Sequence, residues 1–217
     1  MYIIVAEAEN KEESAEKRLD ELSRYNKLYL TMIMRYKELI EEQENLYVAE
    51  LPKLVTPEDP AVLALANSFK AKINEYNSDS DFFKAAKAAH AYVKEEIATV
   101  TLPVQFWLMP SETISAGAGD LLDKATLLCS ILIALGNITS KIIIATKDSE
   151  RKVGVYCESG ANTTTVNANA NARIVYFDIE NGVSEYASKE ELLQSLGIGN
   201  DNISAYEFND KMYNDLA

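Results

Sequence analysis

Apolar and polar positions along the chain fall into two regimes. From about Glu12 to Leu51 there is neither Gly nor Pro. Within that stretch Leu22, Tyr29 and Tyr36 recur at heptad spacing, and so do Met32, Leu39 and Leu46. Glu and Lys fill the other face. This a/d pattern predicts one long helix over 12–50 whose apolar stripe is buried. The stripe is expected either to pack on its own domain or to form a coiled-coil or bundle contact with another chain. Tyr at the a positions argues against a plain two-stranded zipper.

"LPKLVTPEDPAV" ends the long helix, and Pro60 suits the first turn of the next. Residues 61–77 and 81–98 read as two helices, with "NSDSD" as a turn and cap between them. "TVTLPVQFWLMPSET" is irregular. Residues 120–135 are apolar almost all round, which predicts a buried central helix, and Gly136 stops it. The period then changes. "SKIIIAT", "KVGVYCE" and "ARIVYFDI" are β-branched runs of strand length. "SGANTTTVNANANA" between the last two reads as a low-complexity loop. "SKEELLQSL" is a short helix capped by Ser188 with Glu191 three residues on. "SAYEFNDKMY" is a candidate last strand. Helices first and strands after predict an α+β protein. Its small antiparallel sheet packs on the central helix, behind a long N-terminal helix (1–54) and a helical subdomain at the start of a second domain (55–217).

Composition narrows the functional classes. The 217 residues are 47% hydrophobic, enough for a sizeable core. The net charge of −13 makes nucleic acid and anionic membrane surfaces poor partners, since both need a basic face. Cys129 and Cys157 are the only cysteines, too few for a disulfide framework or a zinc site. The start, "MYIIVAEAENKEESAEKR", lacks a basic n-region, and no apolar run is long enough to span a bilayer, so a cytoplasmic location is expected. No cofactor or metal is expected.

Four segments in order resemble the transglutaminase-like (papain-like cysteine) superfamily, in particular its archaeal and bacterial members. They are "VTPEDPAVLALA" (Val55–Ala66), "YVKEEI" (Tyr92–Ile97), "WLMPSET" (Trp107–Thr113) and "GAGDLLDKATLLCSILIALG" (Gly117–Gly136). Together the resemblance covers about residues 55–200. It implies a Cys nucleophile opening the central helix, a His on a following strand and an Asp on a further strand. A thiolate at a helix N-terminus is stabilised by the dipole and free N–H groups, and the His–Asp pair supplies and orients the base.

Mapped onto this chain, the Cys position is Leu121. The His position falls near Lys152 or Val153, where there is no His. The Asp position falls on Asp178. The one histidine, His90, lies in an earlier helix and reads as an ordinary helix residue. The resemblance therefore implies a degenerate member lacking the catalytic Cys and His, with Leu121 and Asp178 as remnant positions. Its groove, lined by Trp107, Asp120, Leu121, Tyr156 and Asp178, is expected to bind a protein or peptide without cutting it. The N-terminal helix is expected to supply partner or homo-oligomer contacts. The alternative is a cysteine hydrolase or acyl-transferase with a relocated site using Cys157, or acid–base chemistry by Asp120, Asp123 and Asp178.

Overall fold

The structure, a computed structural model, describes residues 18–19, 22–43, 48–101, 103–104, 106–147, 150–159, 173–199 and 203–216. Residues 12–17, 20–21 and 44–47 of the expected long helix, Leu46 among them, and most of the expected loop after Ser159 lie outside the described residues, while 48–50 form part of a 3-10 turn. The chain divides into two compact units, Met1–Asn45 with Leu102–Phe106, and Leu46–Thr101 with Trp107–Ala217.

In the first unit α1 (22–35) runs into α2 (Lys37–Gln43) through a single turn residue, Tyr36. The Tyr36 N–H is shared between the carbonyls of Met32 and Ile33 at 3.1 Å each, and Ile40 N–H reaches the Tyr36 carbonyl at 3.0 Å. The hydrogen-bond ladder thus continues through the turn, as the run without Gly or Pro predicts. Within the single chain the stripe is left uncovered. Leu22, Tyr29, Met32, Tyr36 and Leu39 are all about half exposed. Spacing told which side chains share a face, but not what would cover that face.

The second unit is α+β. A 3-10 turn (Val48–Leu54) leads to α3 (Pro60–Ala71) and α4 (Ser78–Glu95). Asp59 caps α3 by accepting the Ala61 N–H, with Pro60 in the first turn. The buried face of α4 is Phe82, Ala85, Ala86, Ala89, His90 and Val93, the i, i+3, i+4 spacing of one helical stripe. A short parallel pair, β1 (Ala98–Thr99) and β2 (Ala118–Gly119), flanks α5 (Pro110–Ala116). Then comes α6 (Leu121–Ala134), in which every residue from Leu122 to Leu132 is buried. It packs against α3, α4 and α5 and against strands β3 (Lys141–Lys147) and β4 (Glu150–Glu158). Each fully buried Leu or Ile there contributes about 1.5–3 kcal/mol.

The sheet is antiparallel throughout, in the order β6-β5-β4-β3-β7-β8. Its other strands are β5 (Ile174–Asp178), β6 (Val183–Tyr186), β7 (Ile203–Phe208) and β8 (Tyr213–Asp215). One face meets α6 through Val153, Val155, Cys157, Val175 and Phe177. The other meets α7 (Lys189–Leu196) through Ile143, Ala145, Tyr156, Tyr176 and Ala205. No helix among the described residues is long and apolar enough to cross a membrane.

Candidate functional site

The N-terminus of α6 is where the resemblance leads one to expect a site, and its local structure is set by two aspartates. Asp120 is the N-cap, and its Oδ1 accepts the Asp123 N–H at 2.8 Å. Asp123 returns the bond, its Oδ2 accepting the Asp120 N–H at 2.8 Å. The second Asp123 oxygen accepts the Leu108 N–H at 2.9 Å and so fastens the strap 107–109 across the helix start. Asp123 is buried, and that burial pushes its carboxyl up to about 6, against the pull of the two backbone N–H bonds. Gly119 fits because a Cβ there would stand 2.8 Å from the Asp123 Cβ.

Leu121 opens α6 in the position expected for a nucleophile. It is half-buried against the main core, and Trp107 and Met109 of the strap are half-buried on the same core. One turn further, Lys124 is buried. Its Nζ donates to the Ile97 carbonyl at 2.8 Å and to Thr99 Oγ1 at 3.0 Å, tying α6 to β1. Burial lowers its pKa. Both donor bonds serve structure.

His90 lies far from these residues in sequence, yet α4 carries it to the end of β5. Its Nε2 stands 2.7 Å from the Asp178 carbonyl oxygen, and its ring centroid 5.8 Å from that of Phe177. A carbonyl only accepts, so Nε2 carries the proton and donates. The Asp178 carboxylate faces a different task. Its Oδ1 accepts the N–H groups of Glu180 and Asn181 and the Asn181 side-chain amide at 2.8 to 3.0 Å. This closes the β5–β6 hairpin as an Asx turn. Asp178 and His90 therefore meet, but through the backbone of Asp178, and its carboxylate orients no imidazole.

Val153, at the expected His position, faces α6 as part of the apolar core. Cys129 and Cys157 are both fully buried in that core. Burial pushes the Cys157 thiol up to about 12 and the Cys129 thiol well above its usual range. Neither supplies a thiolate near neutral pH. The relocated nucleophile thus has no accessible thiol to use.

Tyr156 does not join Trp107 and Leu121. Strand alternation turns it to the α7 face, where it is buried in a polar cluster that the sequence did not reveal. The cluster centres on Glu207 of β7, fully buried. Tyr156 Oη donates to Glu207 Oε2 at 2.5 Å, and Asn214 Nδ2 to Oε1 at 3.1 Å. Lys189 Nζ bridges both carboxylate oxygens at 2.9 and 2.7 Å, and Lys141 Nζ stands 3.4 Å from Oε1. Burial alone raises the Glu207 pKa. The bonds from Lys189, Tyr156 and Asn214 and the charge of Lys141 overcome it, so the carboxyl is held below its usual value. Burial and the bond to Glu207 raise the Tyr156 pKa strongly. The one sequence signal was a charged residue at an inward position of the alternating run "SAYEF".

No family model matches the chain, and no curated protein matches it. Solved structures of Legionella pneumophila LapG are similar in chain trace. The EGTA-treated form aligns at 14% identity and TM-score 0.46 over 79% of this chain and 86% of that one. A second LapG structure aligns at 14% identity and TM-score 0.46 over 79% and 88%. The calcium-bound form aligns at 15% identity and TM-score 0.39 over 75% and 88%.

Proposed function

We propose that residues 55–217 form a transglutaminase-like domain that has lost acyl-transfer chemistry and serves as a protein- or peptide-binding module. The observation that carries this reading is Leu121 as the opening residue of α6, where the resemblance asks for a thiol. An alkyl side chain there gains nothing from the helix dipole and attacks nothing. Three further observations support it. The one histidine donates to the Asp178 carbonyl, the Asp178 carboxylate closes a hairpin, and both thiols are buried. What the α6 start keeps is apolar surface. Trp107 and Leu121 are each half-buried, so part of each remains open to a ligand.

A random peptide library passed over the immobilised protein tests this reading. Peptides retained by the wild type should be recovered intact. They should be lost from both Trp107→Ala and Leu121→Arg, with Trp107→Ala costing ~1–3 kcal/mol as an aromatic anchor. Cleaved or cross-linked peptides, or equal retention on all three proteins, would overturn it.

A further inference from the structure

Leu22, Tyr25, Tyr29, Met32, Tyr36 and Leu39 follow one another at alternating three- and four-residue steps along α1 and α2, and they are 49% to 58% exposed. With the flanking Leu28, Ile33 and Ile40 they span about 140° of the helix surface at 3.6 residues per turn. An apolar face that wide belongs in a helix–helix contact. We infer that it is closed by the same face of a second copy of this chain, running antiparallel.

The area suffices. Six side chains of roughly 200 Å² each at half exposure present on the order of 600 Å². Leu28 and the isoleucines add to that, approaching the ~800 Å² each partner buries in a stable complex. The charges choose a copy of this chain and its direction. Residues 22–35 contain Arg24, Lys27 and Arg35 and no acidic residue. Residues 37–43 contain Lys37 against Glu38, Glu41 and Glu42. A parallel copy would set like charge along like charge. An antiparallel copy lays each basic half beside an acidic half and opposes the two helix dipoles. The segment 22–43 as a whole has four basic and three acidic residues, a net +1 in a chain of −13, so two such segments meet without the repulsion of the rest.

The same alignment is self-complementary in its apolar residues. With the two-fold axis between Met32 and Ile33, Tyr29 lies opposite Tyr36 and Tyr25 opposite Ile40. An isologous contact of this kind closes on itself.

Light scattering on the full chain over a concentration series tests the occupant. The expected mass is at least double that of the monomer. Met32→Glu with Leu39→Glu should return it to monomer while helical circular dichroism is retained. A wild-type monomer at every concentration overturns the proposal. Single-cysteine variants under oxidising, non-reducing conditions test the direction. Met32→Cys lies at the axis and should give a disulfide-linked dimer. Leu39→Cys faces position 26 of the other copy, about 20 Å from its own equivalent at 1.5 Å per residue, and should not. A linked dimer from Leu39→Cys overturns the antiparallel arrangement, as does a Met32→Cys protein that stays unlinked. The native thiols are buried and stay out of the assay.

Discussion

His90 Nε2 donates to the backbone carbonyl of Asp178 across 2.7 Å, joining α4 to the end of β5. The two residues that could have made a base and its orienting acid are in contact, and the contact is structural. The imidazole spends its proton on a peptide oxygen, while the Asp178 carboxylate is used by the amides of residues 180 and 181.

Replacing His90 by Leu keeps the volume and removes the donor. The expected loss is one hydrogen bond, about 0.5–1.5 kcal/mol of folding stability, read by urea denaturation. Stability equal to the wild type would mean the bond holds nothing together.

The Glu207 cluster is expected to matter more. Glu207→Ala removes the acceptor shared by Tyr156, Lys141, Lys189 and Asn214 and leaves two ammonium groups at a buried edge. Breaking such a pair costs about 3–5 kcal/mol. Tyr156→Phe should cost less, since the lysines still hold the carboxylate. Equal losses from the two variants would contradict the assignment of Glu207 as the hub. The sign of the pH effect follows from the lowered pKa of Glu207. Its contribution is full above the ordinary glutamate value and is lost as pH falls through the lower folded value.

Asp123 works in the opposite direction. Its folded value of about 6 lies above the ordinary 3.8, so between those values the folded state binds the extra proton. Stability from this group rises as pH falls from about 6 towards 4, by at most roughly 3 kcal/mol, at 1.36 kcal/mol per pH unit. Denaturation midpoints of the wild type and Asp123→Asn across pH 4 to 7 check it. The wild type should gain on the variant as the pH falls. Parallel curves would show that Asp123 titrates normally.

Much of the fold could be read from residue patterns because those patterns are local. Asp120 and Asp123 mark the start of α6, and the β-branched runs mark β3, β4 and β5. Strand β6 was missed, although Asn181-Gly182 between two apolar runs is a hairpin signal. The site was less legible. His90 and Asp178 are 88 positions apart, and only the packing of α4 on the sheet brings them together. Glu207 reaches Tyr156 because β3 lies between their strands, β7 and β4, and strand order is not written in any local run. What covers the stripe of α1 and α2 was not legible for a related reason. Amphipathic spacing fixes a face and leaves its occupant open.

The thiols should be silent in the folded protein. Iodoacetamide at neutral pH should label neither Cys129 nor Cys157 until the chain is denatured, when both react. Labelling of Cys157 in the native state, measured by mass spectrometry, would reopen it as a nucleophile.

α6 opens on Leu121, which carries no nucleophile, and the position where the resemblance expects a His holds Val153. Casein incubated with a fluorescent primary amine reports both transamidation and cleavage, on the wild type and on Leu121→Cys. Neither protein should turn over, because a thiol restored at 121 brings no imidazole to the position of Val153, which lies in the apolar core. Iodoacetamide-sensitive turnover by the wild type would contradict it outright. Turnover gained by Leu121→Cys alone would show that a working base was present all along.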